Sequence, residues 1–152
     1  FEQFHLHFFG QAAHVVVALD GDAGAAGGGD AFDDVGVERA LGEEIHMAKA
    51  LGFLLEDFHI RPGSGGKGKF PAGDGTRRTV RFLERMDCAI LSSHRSRPPE
   101  GLDGGGNGEV GKTEVRRRGG KVETLRACDQ TVLEAGDAVI VTTPTPGGFG
   151  RG

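Results

Sequence analysis

Residues 87–106, DCAILSSHRSRPPEGLDGGG, decide how the rest of the chain is interpreted. The apolar run 88–91 predicts a strand that is buried on both faces. Residues 92–95, SSHR, then place hydroxyls, an imidazole and a guanidinium at the end of that strand. Two prolines fix an extended exit, and the glycines at 104–106 permit backbone conformations that a side chain would forbid. The segment therefore predicts a polar site at a strand end, beside a turn with exposed backbone amides.

Composition separates the chain into two unlike parts. Residues 1–60 hold two basic and eleven acidic groups, whereas residues 61–152 hold sixteen basic and eleven acidic ones, for a net charge of -4 overall. The chain has 28 glycines among 152 residues, and Phe is its only aromatic residue type. No nucleic-acid motif accompanies the weakly basic part, and no apolar run approaches the ~20 residues that span a bilayer. We therefore expect a cytoplasmic protein that binds neither nucleic acid nor membrane.

The fold expected is α+β, with a mainly β region over the C-terminal two-thirds. Short strands are predicted at residues 13–19, 78–84, 88–91, 113–117, 121–125 and 138–142, joined by hairpins and glycine-rich loops. Gly119 and Gly120 suit a two-residue hairpin turn because both positions there need positive φ. Between Val35 and Phe58, apolar residues recur at helical steps of three and four, which predicts an amphipathic helix.

Three segments, one of them within residues 87–106, carry a resemblance to one known family. Residues 61–84 read RPGSGGKGKFPAGDGTRRTVRFLE, residues 90–105 read ILSSHRSRPPEGLDGG, and residues 134–150 read EAGDAVIVTTPTPGGFG. In this order they resemble the RPGSGGxGxxxGGDGxxRxxxFLE, LLSDRR…PPxGLxGG and PGDxxxxxTPGGGGYG segments of the hydantoinase B/5-oxoprolinase family. The resemblance covers about residues 54–150 and implies that residues 54–152 are the C-terminal, β-rich part of a hydantoinase B-like domain.

Residues 1–53 lie outside these motifs and form an unassigned α/β appendage. The family's HTHMTNTR-type motif is not reproduced upstream, where His46 is followed by Met47, Ala48 and Lys49. Three origins of this part stay open: a native appendage, an unrelated fused leader, or translation in a wrong reading frame. His5, His7 and His14 are weak metal candidates, because His residues without Cys or carboxylate support at defined spacing rarely form a site. No metal site is therefore predicted in the chain.

The resemblance implies a function. Members of the family open a cyclic amide, 5-oxo-L-proline or a hydantoin, in an ATP-dependent hydrolysis, which for 5-oxoproline belongs to glutathione metabolism. ATP and Mg are implied through a hydantoinase A-like partner subunit or domain, and the substrate is a small anionic cyclic amide. Within the sequence, residues 63–70 satisfy most of a phosphate-binding pattern, but Phe70 replaces the hydroxyl and no helix pattern follows. The alternative is a non-catalytic β-rich module that docks on a hydantoinase A-like ATPase.

Six residues are candidates for substrate binding. Arg95 is the first choice, because its planar fork suits the substrate carboxylate, although an ion pair bracing the loop is an equal alternative. His94 is second and departs from the family's usual Arg or Lys. The amides around Gly65-Gly66 and Gly147-Gly148 could donate to a developing oxyanion. Of the two cysteines, Cys88 is expected in the core, and Cys128 is expected to be an inert thiol rather than a catalytic nucleophile.

Overall fold

The computed structural model describes residues 14–19, in their backbone alone, and residues 52–152. Every regular element in this part of the chain is a β-strand, and none of it forms a helix that could span a bilayer. The eight strands are β1 His14–Leu19, β2 Phe53–Ile60, β3 Thr76–Phe82, β4 Met86–Ser92, β5 Lys112–Arg116, β6 Val122–Leu125, β7 Cys128–Leu133 and β8 Ala138–Thr142.

The strands form two sheets. The larger sheet is antiparallel and has the order β2-β3-β8-β5-β6, and the smaller one has the order β1-β4-β7. In the smaller sheet β4 pairs parallel with β1 and antiparallel with β7. Strand β8 lies at the centre of the larger sheet, and its residues from Ala138 to Val141 are buried on both faces. This position accounts for its continuous apolar sequence, since a strand covered on both sides has no polar face.

A single hydrophobic core lies between the sheets. Alternate residues of β4, namely Met86, Cys88 and Ile90, point into it with no more than 2% of their surface exposed. The larger sheet contributes apolar side chains from four of its strands and the smaller sheet adds Leu133: the members from the larger sheet are Phe53, Val80, Phe82, Val115, Val139 and Val141. The molecule is thus a β-sandwich in which strand β4 supplies much of the smaller sheet's inner face.

Several expectations from the sequence need correction. The helix predicted over Val35–Phe58 is wrong at its end, because Phe53–Ile60 is strand β2; its remaining residues lie outside the described part of the chain. Strand β4 is buried on one face only, since Leu91 is 53% exposed. In the turn between β5 and β6 only Gly120 has a positive φ, and the Gly120 amide donates to the Arg117 carbonyl. The turn therefore spans residues 117–120 with one left-handed glycine, whereas the two-residue turn expected needs a positive φ at both Gly119 and Gly120.

Candidate functional site

Three glycine-rich segments converge beyond the ends of the strands. They are the first segment, 61–75, which joins β2 to β3; the second segment, 99–111, which precedes β5; and the third segment, 143–150, which follows β8. Backbone hydrogen bonds close a triangle between them. The Gly66 amide donates to the Pro146 carbonyl at 3.0 Å, the Gly106 amide to the Lys67 carbonyl at 2.6 Å, and the Gly148 amide to the Gly106 carbonyl at 2.8 Å.

Close approach of the backbones explains why glycine is needed here. A Cβ built on Gly66 would overlap the backbone nitrogen of Gly148, and one on Gly148 would overlap the carbonyl oxygen of Lys67. A Cβ on Gly105 would likewise overlap the carbonyl of Gly148, and one on Gly147 would overlap the carbonyl of Glu100. No residue with a side chain fits such spacings without moving main-chain atoms. We call this meeting point of Gly66, Gly105, Gly106, Gly147 and Gly148 the glycine cluster.

A set of buried polar side chains fastens the segments behind the glycine cluster. The Thr145 side chain is completely buried; its hydroxyl donates to the Ser64 carbonyl at 2.8 Å and accepts the Glu109 amide at 2.7 Å. Arg61 joins all three segments, because it pairs with Glu109 and donates to the Thr143 carbonyl at 3.0 Å. The resemblance gave these residues no role, and nothing in a sequence indicates that polar groups so far apart along the chain will form hydrogen bonds with one another.

The phosphate-like loop of the first segment already holds a carboxylate. The Gly65 amide donates to Asp74 Oδ1 at 3.0 Å, and hydrogen bonds from the amides of Gly65, Gly63 and Ser64 hold the pKa of Asp74 below its ordinary value. An external phosphate would have to replace this internal anion. Within residues 14–19 and 52–152, no three His, Cys, Asp or Glu side chains lie together in a way that could hold a metal ion. The phosphate-like loop is therefore already occupied by the carboxylate of Asp74.

The structure brings some of the six predicted site residues together and places others elsewhere. Gly66, Gly147 and Gly148 meet in the glycine cluster, with Gly65 beside it on the Asp74 side. The amides of Gly65, Gly66 and Gly148 are all engaged by protein acceptors. The exposed backbone amides expected from the sequence are thus used to hold the loops together. Whether these glycines also contact a substrate stays a prediction.

Arg95 and His94 lie toward the far end of the second segment, near Gly111. The guanidinium of Arg95 donates to the Ser93 carbonyl at 2.9 Å and, more weakly, to Thr113 Oγ1 at 3.4 Å. A Cβ on Gly111 would overlap that guanidinium, so Gly111 makes room for it. His94 has a φ of 50° and its carbonyl accepts the Gly111 amide at 2.9 Å. These contacts fit the bracing alternative for Arg95; its role toward a substrate stays a prediction.

The two cysteines occupy opposite faces of strands in the smaller sheet. Cys88 is in the core, as expected, where burial raises the pKa of its thiol to about 11. Cys128 is exposed on β7, opposite Leu91 of β4. Strand β7 itself was not among the strands expected from the sequence.

Comparisons with known proteins agree with this architecture. The family model described as Hydantoinase B/oxoprolinase matches residues 9–152, which reaches closer to the N-terminus than the motifs did. A 5-oxoprolinase of Dictyostelium discoideum is 39% identical over 105 residues, covering 69% of this chain and 8% of that protein. A 5-oxoprolinase of Saccharomyces cerevisiae is 39% identical over 99 residues, covering 64% of this chain and 8% of that protein. The chain thus spans about 8% of the length of these relatives.

A solved structure shares the fold. The crystal structure of the ATP-dependent caprolactamase from Pseudomonas jessenii superposes with a TM-score of 0.58 at 24% sequence identity, over 71% of this chain and 19% of that one. At this level of identity the likeness concerns the fold.

Proposed function

The chain belongs to the hydantoinase B/oxoprolinase family, and from this premise we propose that it is the C-terminal part of an ATP-dependent amidohydrolase. The proposed reaction opens a cyclic amide, 5-oxo-L-proline to L-glutamate or a hydantoin to its open-chain acid. The observation that carries the proposal is the 39% identity to a 5-oxoprolinase over 105 residues, which cover 69% of this chain.

ATP and Mg²⁺ enter the proposal through a partner. Because Asp74 fills the phosphate-like loop, we assign nucleotide binding to a hydantoinase A-like subunit or domain. This part of the enzyme then contributes binding and orientation of the substrate. No step of the nucleotide chemistry is placed on its residues.

Arg95 is the proposed ligand of the substrate carboxylate, with His94 beside it and the glycines at 65, 66, 147 and 148 supporting the loops. A guanidinium has five N–H donors, so Arg95 can donate to a carboxylate while one Nη1 hydrogen stays on the Ser93 carbonyl. Bracing and binding therefore predict different kinetics for an Arg95 substitution.

The test is 5-oxoproline hydrolysis with ATP, measured with and without a co-expressed hydantoinase A-like partner. Turnover that requires the partner supports the proposal. In an active full-length enzyme, Arg95→Ala should raise KM for 5-oxoproline at least tenfold while Arg95→Lys restores part of the loss. An unchanged KM with lowered thermal stability in Arg95→Ala would remove the substrate role and leave bracing.

A second candidate function rests on a specific observation. Because the chain spans about 8% of its curated relatives, a non-catalytic β-rich module that docks on a hydantoinase A-like ATPase is the alternative. Absence of turnover together with co-purification of the two proteins would favour this docking role over catalysis.

A further inference from the structure

Three exposed apolar side chains meet on the outside of the glycine cluster. Phe70 comes from the first segment, Leu102 from the second and Phe149 from the third, and they are 59%, 66% and 48% exposed. Phe149 pairs with both others through β-bridges, and the rings of Phe70 and Phe149 have their centroids 6.2 Å apart. Single exposed apolar residues are ordinary, whereas a contiguous group marks an interaction site. We call these three residues the apolar surface.

The backbone beneath the apolar surface is fixed. The Phe70 amide donates to the Phe149 carbonyl and the Phe149 amide to the Phe70 carbonyl, both at 3.0 Å. The Leu102 amide donates to the Gly148 carbonyl at 2.9 Å, and a turn with positive φ at Asp103 and Gly104 follows. A partner that binds here does not have to order a loop, so little of the binding free energy is lost to conformational entropy.

Charged groups around the apolar surface are mostly cationic. The Lys69 ammonium lies 5.7 Å from the centroid of the Phe70 ring, and the side chain of Arg151 packs over Gly104, two residues from Leu102. Lys67 is exposed next to the glycine cluster, and the acidic neighbours Asp103 and Glu100 are exposed within two residues of Leu102. An apolar centre with a cationic rim fits a partner surface that has apolar side chains surrounded by carboxylates.

We propose that the apolar surface is the interface with the remainder of a hydantoinase B-type polypeptide. The face of that remainder that contacts it would carry acidic groups at its rim. The inference rests on the proposed function and on the length of the relatives, of which the chain spans about 8%. In the solved relative of the same fold, the shared part is likewise only 19% of the chain. A domain embedded in a much longer polypeptide has faces that the rest of that polypeptide covers.

A competing face exists on the smaller sheet and supplies the matched control. Leu91 on β4 and Val132 on β7 point away from the core and are 53% and 38% exposed. Among the described side chains of this face, Asp87 is the charged residue on β4. Leu91→Ser therefore removes an exposed apolar side chain of similar size without touching the apolar surface.

The experiment measures binding of the full 152-residue chain to Dictyostelium discoideum 5-oxoprolinase from which the matched residues are deleted. The intact enzyme, whose own segment fills the interface, is the negative control and should not bind the chain. By titration calorimetry, Phe70→Ser/Phe149→Ser should weaken binding at least tenfold, and Leu91→Ser should stay within twofold of the parent chain. Lys67→Glu/Lys69→Glu should weaken binding and reduce its dependence on salt. Circular dichroism checks that each variant is folded.

Other results overturn the proposal. Loss of binding in Leu91→Ser but not in the Phe variants would assign the interface to the smaller sheet. Self-association of the chain that the Phe substitutions abolish would make the occupant a second copy. If the deleted enzyme is not monodisperse, the chain is joined to it in place of the deleted residues, with a photo-crosslinking amino acid at position 102 or 91. Cross-links from position 102 to the enzyme's own sequence are then expected, and cross-links from position 91 alone contradict the proposal.

The two proposals fail separately. A complex that forms through the apolar surface but does not hydrolyse 5-oxoproline retains the interface and refutes the activity. Hydrolysis restored by the chain, with binding that the Phe substitutions do not change, retains the activity and refutes the interface.

Discussion

Asp137 shows how one buried carboxylate holds several elements at once. Its side chain is 4% exposed; it pairs with Arg117 at 2.9 Å and accepts the amides of Arg118 at 2.8 Å and Glu134 at 3.1 Å. Arg117 in turn reaches Glu123 on β6 and Thr131 on β7. The pair therefore ties the two sheets together at the turn before β8.

Asp137→Asn is expected to lower the free energy of unfolding by about 2 to 4 kcal/mol, because it leaves the Arg117 charge without its buried partner. The control is Glu134→Gln, which removes a partner of Arg85 at 3.7 Å where both side chains are exposed, and it should cost much less. Urea unfolding followed by circular dichroism measures both. Equal losses in the two variants would contradict the structural role of Asp137.

The same carboxylate gives a pH dependence. Burial by itself raises the pKa of Asp137, but hydrogen bonds from the Glu134 and Arg118 amides and from Arg117 outweigh it, so the pKa lies below the ordinary 3.8. Because the pKa is lower in the folded state than in the unfolded state, the Asp137 carboxylate contributes its full stabilisation above about pH 4. This contribution is lost as the pH falls through the folded-state pKa. The urea midpoint of the parent chain should thus decrease as the pH is lowered below 4, and this decrease should be smaller in Asp137→Asn.

Gly66→Ala tests the close packing of the glycine cluster. The new Cβ would overlap the Gly148 backbone, so the loops must move apart at a cost of about 1 to 3 kcal/mol. Gly73→Ala is the matched control in the same segment, because a Cβ there meets nothing within 4 Å and should be neutral or slightly stabilising. Thermal unfolding distinguishes them. Two variants of equal stability would show that the cluster tolerates side chains.

At the scale of single elements, the sequence predicted strands best where the alternation of side chains was clear. Strand β3 has Val80 and Phe82 inside, and its pattern predicted it to within two residues. Strand β2 was wrongly assigned to a helix, because Leu55 and Phe58 also fit a helical spacing when a bulge separates them. The register of β2 does shift between Leu55 and Asp57, which breaks the period of two. Pattern alone does not detect such a bulge.

Strand β7 shows a second limit of sequence patterns. Three of its six residues are polar and only Leu133 is fully buried, so it lacks the apolar alternation by which strands are recognised. Pairing with β4 forms it instead. The candidate site has the same limit. The glycines were identified from the sequence, but their amides donate to the carbonyls of Pro146 and Gly106 and are not left exposed, as the sequence had suggested. Such long-range partners are determined by tertiary packing.

The opposite faces of the smaller sheet predict a difference between the two thiols. Under native conditions a thiol reagent at pH 8 should modify Cys128 quickly and Cys88 more than a hundredfold more slowly. Cys88 is buried and its thiolate is scarce, because its pKa is raised to about 11. The measurement is the number of thiols modified per chain before and after addition of denaturant, one and then two. Two fast thiols in the folded protein would contradict the burial of β4.

The described part of the chain is organised around one core shared by both sheets, which predicts a single unfolding transition for it. Ile90 of β4 is completely buried in that core, together with Val139 and Leu133. We expect that in Cys128→Ser, modification of Cys88 and loss of the β-sheet circular dichroism signal share one urea midpoint. Ile90→Ala should lower both midpoints together, by about 2 to 4 kcal/mol in free energy of unfolding, because its side chain leaves a cavity between the sheets. If Cys88 became reactive well below the circular dichroism midpoint, the smaller sheet would open by itself, and the sandwich would have to be described as two separately stable layers.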